Sequence, residues 1–306
     1  MTKKNVLTTH THAGYVALIG RPNVGKSTLL NRLIGQKISI TASKPQTTRH
    51  TLFGIQTLPE TQIVYIDTPG LHISSKKAMN RYLNRAAAGV LSYADIAIFL
   101  VEALRWTEED EYVLKRLTEF VGVVVLAVNK VDRITDKARL LPFIENITRK
   151  RDFTEVVPIS GLTGDNLDVL KKISSQLLPV GDYLFPLHQR TNASEYFLAA
   201  ELIREKLTRL LRDELPYSLS VEVEKFVKER NLVRILAVIW VERETQKRIV
   251  IGKNGIVLRD VGSHSREAME RLFARKVFLE TWVKVRGGWS DDEQALCRFG
   301  YTDFTD

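Results

Sequence analysis

Short apolar runs punctuate the first half of the chain, at residues 15–19, 52–58, 62–66, 96–101, 123–128 and 156–159. Segments with a helical period separate most of them, as in Leu29, Leu30, Leu33 and Ile34, which Gly35 closes. Continuous apolar strands alternating with helices predict an α/β sheet covered on both faces. The second and third runs are joined only by Leu58-Pro59-Glu60-Thr61, too short for a crossover, so that pair reads as an antiparallel hairpin. The expectation is a mostly parallel six-stranded sheet with one antiparallel member. Its ligands would bind beyond the carboxyl ends of the strands.

The pattern changes after Pro179-Val180-Gly181-Asp182. A polar stretch with Pro186 follows, and Ser194-Glu195 then opens an amphipathic helix through Leu198, Ile203, Leu207, Leu210 and Leu211. Strand-like runs at 220–227 and 232–242 precede a break at Gly252-Lys253-Asn254-Gly255. A helix with Ala268, Leu272 and Phe273 and an alternating strand at 277–285 complete the pattern. The organisation this predicts is a flexible tail at 1–13, an α/β domain at 14–180, a linker at 181–193 and an α+β domain at 194–306.

Composition narrows the class. At 306 residues, with 44% hydrophobic and 26% charged positions, the chain has the makings of two globular domains with ordinary cores. Cys297 is the single cysteine, which excludes an internal disulfide or multi-cysteine metal site and fits a reducing cytoplasm. The histidines show no metal-ligand spacing, and His10 and His12 fall in the polar tail. No apolar stretch reaches the ~18–20 residues of a membrane span, and the first dozen residues lack the apolar centre of a secretory signal. A formal charge of +9 points to a polyanionic partner: nucleic acid, a membrane face, or both.

The chemistry concentrates in loops at strand ends. Gly20-Arg21-Pro22-Asn23-Val24-Gly25-Lys26-Ser27, followed by Thr28, stands between the first apolar run and the first helix. This is a phosphate-binding loop in its required strand–loop–helix setting. Glycines let backbone N–H groups approach a polyphosphate, and the helix start adds positive potential. Lys26 would reach the β- and γ-phosphates, and the Ser27 hydroxyl would sit on Mg²⁺, a hard cation that wants oxygen. In the polar loop containing Ser43-Lys44-Pro45 and Gln46-Thr47-Thr48-Arg49, one threonine would add a Mg²⁺ ligand and meet the γ-phosphate, with Thr48 favoured over Thr47. Asp67-Thr68-Pro69-Gly70 ends the third run; Asp67 would hold Mg²⁺ through water and the Gly70 amide would meet the γ-phosphate.

Asn129-Lys130-Val131-Asp132 selects the base. The Asp132 carboxylate can accept from guanine N1–H and the N2 amine, a donor pair adenine does not offer. Lys130 would stack along the base and Asn129 would tie it to the loop. Ser160-Gly161-Leu162, ending the sixth run, would offer amides to guanine O6. Two basic clusters stand apart from these motifs. Lys77, Arg81 and Arg85, with Lys76 beside them, read as a solvated helix face, or as one touching RNA or the second domain; Arg149-Lys150-Arg151 reads as solvated.

These motifs in this order resemble the translation-factor class of small GTPases, which implies a switch driven by GTP, GDP and Mg²⁺. Two positions depart from that pattern. Gly161 stands where alanine is usual, and Leu71 stands where Ras-like GTPases carry a water-orienting glutamine. Slow hydrolysis is therefore expected unless another group, a K⁺ ion or a partner positions the water. The second domain, helix–strand–strand–helix–helix–strand around Gly252-Lys253-Asn254-Gly255, resembles a type II KH domain, whose loop clamps about four nucleotides. Residues 243–286 hold eleven Lys/Arg, among them Arg259, Arg275, Lys284 and Arg286, against five Asp/Glu. The positive charge is thus localised near that loop. Trp289 is a candidate to stack on a base or to join an aromatic core.

The combination resembles the Era family of bacterial GTPases, from about Gly14 to Tyr301. The resemblance implies binding to 16S ribosomal RNA near its 3′ end, work in 30S subunit assembly, a cytoplasmic monomer, and some peripheral association with the inner membrane. The competing readings are a GTPase of the tRNA-modification or tandem type, and an RNA-binding module whose nucleotide site is structural. The lack of a second phosphate-binding loop counts against the tandem type.

Overall fold

The computed structural model describes residues 11–42, 44, 46–71, 78–211, 215–299 and 301; His10, Ser43, Pro45, Lys76 and Lys77 lie outside them. The first domain runs β1 (His12–Ile19), α1 (Lys26–Ile34), β2 (Leu52–Leu58), β3 (Thr61–Asp67), α2 (Ala78–Leu91), β4 (Ile96–Glu102), α3 (Glu108–Leu117), β5 (Val123–Asn129), α4 (Leu140–Thr148), β6 (Glu155–Pro158) and α5 (Leu167–Leu177). Its sheet has the order β2-β3-β1-β4-β5-β6, with β2 antiparallel to β3 and every other pair parallel. Alternate residues of one strand enter opposite cores, Val16 and Leu18 on one face and Ala17 and Ile19 on the other. That two-sided burial is why the strands read as continuous apolar runs. The direction of connection reverses at β1, so the loop after it opens into the crevice where such sheets bind ligands.

The first strand begins at His12 rather than at Tyr15. The His12 ring nitrogen Nδ1 lies 2.9 Å from Leu178 O, so this histidine belongs to the domain and not to a solvated tail. The linker is not free either. Ile55 N donates to Arg190 O at 2.8 Å and Phe53 N to Asn192 Oδ1 at 3.0 Å, so the segment lies along the edge strand β2 and supplies it with partners, while Gln62 Nε2 of β3 donates to Phe185 O at 2.8 Å.

The second domain runs α6 (Glu195–Leu210), β7 (Leu219–Lys228), β8 (Leu232–Val241), α7 (Glu244–Ile251), α8 (Ile256–Phe273), β9 (Lys276–Val285) and α9 (Glu293–Arg298). β8 pairs antiparallel with β7 and parallel with β9, the latter through the α7–α8 crossover. Ser194 caps α6 by accepting from Phe197 N at 3.1 Å. Leu202, Ile203 and Leu207 of α6 pack with Ile235 and Ile239 of β8 and Val261 and Met269 of α8.

The domains dock at two places. The apolar stripe of α2, Met79, Tyr82, Leu83 and Ala86, packs on Trp289, Ala295, Leu296 and Tyr301 from the end of the chain. Beside it Arg81 and Arg85 approach Glu293 at 3.5 and 4.0 Å, so this basic face meets the second domain; exposed pairs of this kind add little stability. The second contact is on the loop between α1 and β2, described below. The cluster at 149–151 is fastened within the first domain: Lys150 pairs with Glu111 at 3.0 Å, and Arg151 donates to Leu117 O at 2.6 Å.

Candidate nucleotide and RNA sites

The loop after β1 is built for an anion. Gly25 has φ +108°, and a Cβ there would stand 2.4 Å from Asn129 Nδ2. α1 begins at Lys26 with no acidic residue in its first turn, leaving its amide end unneutralised. Lys26 is buried and donates to Gly20 O at 2.8 Å and Arg21 O at 3.0 Å; burial pulls its ammonium down to about 8. A triphosphate beside it would restore the charge. Arg21, read from the sequence only as part of the loop, is a buried strut: it pairs with Glu102 at 2.6 Å and with Asp110 at 3.2 Å.

Three oxygens converge beside Lys26. Ser27 Oγ lies 2.6 Å from Thr48 Oγ1 and 2.6 Å from Asp67 Oδ2, which also accepts from Ser39 Oγ at 2.8 Å. Asp67 Oδ1 is buried without a hydrogen-bond partner. Hydroxyl, hydroxyl and carboxylate with an orphaned oxygen fit a hard divalent cation. Of the two candidate threonines the structure brings Thr48 to the set, while Thr47 turns its hydroxyl to Lys44 O at 2.6 Å. Among the described residues there is no group of three or more His, Cys, Asp or Glu placed to hold a metal. Gly70 lies against the loop, with a Cβ there only 2.8 Å from Pro22 N. Thr68 points away, donating to Leu18 O at 2.8 Å, and Leu71 is buried in the apolar layer of the sheet.

Burial pushes the Asp67 carboxyl up, against the hydrogen bond from Ser27 and the nearby Lys26 charge. On acidification it therefore takes up a proton while ordinary carboxylates remain ionised. The Mg²⁺ concentration needed for half-maximal GTP binding is expected to rise about tenfold per pH unit below that point. Titrating Mg²⁺ at stepped pH checks this; Asp67→Asn should abolish the slope.

The base site is assembled from two loops. Asn129 Oδ1 accepts from Lys130 N at 2.8 Å and Gly161 N at 2.9 Å, while its Nδ2 donates to Val24 O at 2.9 Å. One side chain thus joins the phosphate loop, the 129–132 motif and the loop after β6. Lys130 takes φ +68° and places Nζ 3.0 Å from Glu102. Asp132 is exposed and accepts from Ser160 Oγ at 2.6 Å. Leu162 is 66% exposed. Ser39 and Glu102 were missed in the sequence, as was the pairing of Arg21 with Glu102 and Asp110. Only the register Glu102↔Asn129, at matching strand ends, could have flagged Glu102.

A cavity of about 1320 Å³ runs from Lys26, Ser27, Thr48 and Gly70 to Arg243 and Gln246 of the second domain. Residues of both domains line it.

In the second domain Gly252 and Gly255 take φ +72° and +74°, and Asn254 between them +53°. Nothing lies within 4 Å of a Cβ on Gly255, so a nucleic-acid backbone can come close there. Lys253, Asn254 and Arg259 are exposed around this loop. Arg275 is exposed too but follows α8, whose eighteen residues put it about 27 Å from the loop. Lys284 pairs with Glu224 at 2.9 Å, and the Arg286 guanidinium covers the Phe299 ring at 5.6 Å. Trp289 corrects an expectation: it is 0% exposed, edge-on to Phe299 and within the contact on α2, so it cannot stack on a base. Among the described residues β9 carries two exposed rings, Trp282 at 56% and Phe278 at 49%.

Residues 15–130 match the family described as 50S ribosome-binding GTPase, and residues 214–290 match the KH domain. GTPase Era of Pseudomonas aeruginosa is 54% identical over 290 residues, 95% of this chain and 95% of its own. That of Azotobacter vinelandii is 51% identical over 303 residues, 99% of this chain and 100% of its own. The chain belongs to the Era family. Among solved structures, Aquifex aeolicus Era bound to GDP and tetrafluoroaluminate has a TM-score of 0.91 and 38% identity, covering 95% of this chain and all of that one. An Era complex with MgGDPNP and nucleotides 1506–1542 of 16S ribosomal RNA has the same score and identity, covering 96% of this chain. The Era likeness therefore embraces the docked arrangement of both domains.

Proposed function

We propose that this chain is a GTP-hydrolysing switch whose KH domain grips the 3′ region of 16S ribosomal RNA and which acts in assembly of the small, 30S subunit. The observation that carries the reading is the full-length likeness to an Era structure holding a GTP analogue, magnesium and that RNA together. The family description that mentions the 50S particle covers only residues 15–130, whereas the RNA-bound relative spans both domains.

Lys26 and the amides from Gly20 to Ser27 take the phosphates. Ser27 and Thr48, with Asp67 through water, hold Mg²⁺, which when bound neutralises charge developing between the β- and γ-phosphates. Gly70 offers its amide to the γ-phosphate. Asn129, Lys130 and Asp132 read guanine, helped by the backbone at Ser160 and Gly161. Leu71 brings no polar group to the attacking water, so hydrolysis is slow until K⁺ or RNA completes the site. The protein works as a cytoplasmic monomer; its basic surface supports peripheral contact with the inner membrane, and no described helix is long and apolar enough to cross one.

Coupling between the sites is reciprocal, so RNA must tighten GTP by the factor that GTP tightens RNA. A GTP analogue should bind about 5- to 100-fold tighter in the presence of a 3′-end oligonucleotide, measured by calorimetry. Equal affinities would refute the switch. In Gly252→Ala the new Cβ would stand 2.4 Å from Val257 Cγ2, on a backbone that favours glycine. That variant should keep its GTP affinity and lose the enhancement.

A further inference from the structure

Thr48, whose hydroxyl meets Ser27, lies in a stretch with no helix or strand among its described residues, between α1 and β2. The residues on either side of it are tied to the second domain, in addition to the Gln46–Asn80 contact within the first. The carbonyl of the preceding residue, Thr47 O, accepts from Arg204 Nη2 of α6. The following residue, Arg49, reaches the other way: Nη1 donates to Leu219 O at 2.8 Å, and Nη2 to Pro216 O at 2.8 Å and Tyr217 O at 3.2 Å. Both guanidinium-bearing residues are buried, Arg49 at 1% exposure and Arg204 at 2%.

Neither contact is a loose surface pair. Arg204 is forked onto Glu201 through Nε and Nη2, each at 2.6 Å, so it addresses Thr47 from a locked position. Arg49 ends among backbone carbonyls just before and at the start of β7, with Tyr301 Oη at 3.3 Å from its Nη1. Further back on the same loop, the buried Glu205 of α6 accepts from Thr41 N at 2.9 Å and from Lys37 Nζ at 2.5 Å. Arg209 donates to Thr41 O at 2.8 Å. The loop that carries a nucleotide-site hydroxyl is therefore held by helix α6 and the turn before β7, elements of the RNA-binding half.

We propose that Arg49 and Arg204 are positioning residues for GTP hydrolysis, holding Thr48 over Ser27 so that the KH domain completes the catalytic site of the GTPase domain. The inference rests on the reading of Thr48 as a Mg²⁺ and γ-phosphate ligand. The physical argument is geometric: displacement of a reacting constellation by ~1 Å can cost about 10²-fold in rate, and an unanchored loop holds no oxygen to that tolerance. GDP, lacking the γ-phosphate, makes no demand on Thr48.

The experiment uses the full chain and compares single-turnover GTP hydrolysis with equilibrium binding of GDP. Removing Arg204 alone would strand a buried carboxylate, so the first variant is Arg204→Leu with Glu201→Leu, which takes out both charges. The second is Arg49→Lys, which keeps the charge but cannot reach several carbonyls from one planar fork. Each should slow hydrolysis about 10²-fold while GDP affinity stays within about twofold of the parent. Each is then combined with Thr48→Ala. If the arginines act through Thr48, the combination loses no more than Thr48→Ala alone, a non-additivity that general loosening of the fold would not give. Unchanged hydrolysis in both variants, or losses that multiply with that of Thr48→Ala, would overturn the inference while leaving the switch intact. Full hydrolysis in Thr48→Ala would instead overturn the role of Thr48, and the inference with it. Should the leucine pair not fold, Arg49→Lys alone decides.

Discussion

Asp132→Asn is expected to weaken GTP binding by about 10²–10⁴-fold and to let xanthosine triphosphate bind in its place. The carboxylate offers only acceptors, matched to the N1–H and N2 amine of guanine. An amide presents a donor at one of those places, and xanthine, with a carbonyl at C2, presents the acceptor it needs. Ser160 Oγ, 2.6 Å from Asp132 Oδ1, can still donate to the amide oxygen, which keeps the loop after β6 in register. The residue is exposed, so folding stability should stay within about 0.5 kcal/mol. Competition binding with both triphosphates measures the switch; unchanged guanine preference would remove Asp132 from base recognition.

The second large effect is on stability. Trp289→Ala should cost about 3–5 kcal/mol, the range for emptying a large buried aromatic site. The ring is buried between Phe299, Tyr301 and the apolar stripe of α2, so the cavity opens where the end of the chain meets the GTPase domain. Denaturant unfolding measures the loss. Trp282→Ala, made on an exposed face, should change stability by no more than about 0.5 kcal/mol. A neutral Trp289→Ala would contradict the packing described here.

Much of the first domain was legible because each feature is local. Strands buried on both faces leave unbroken apolar runs, and their ends fell within a few residues of those read from the sequence. The antiparallel edge followed from the shortness of 58–61 alone. The phosphate and base motifs were legible because backbone chemistry dictates spacing there. What stayed hidden was long-range. α2 looked like a basic face because Arg81 and Arg85 carry charge, yet the apolar stripe beside them finds its partners some two hundred residues downstream, beyond the reach of periodicity. Trp289 and Trp282 are seven positions apart in one stretch, and nothing in that stretch says which is buried. Nothing in the sequence singles out Arg49 or Arg204; only the docked structure makes them buried donors to carbonyls. His12 passed for tail because one strand residue among polar neighbours carries no period.

The segment laid along β2 decides how far apart the two halves can ever be. A free tether of thirteen residues would let its ends separate by about 20 Å. Here Val180 bridges to His12, Thr191 to Gly54, and Asn192 accepts from Phe53, so the slack left before α6 is a residue or two. Letting go of Thr48 would not set the KH domain adrift. It would leave that domain at millimolar effective concentration or above, free to pivot and unable to leave. Dilution cannot separate such halves, so a fluorophore pair across them should report a change of angle at every protein concentration.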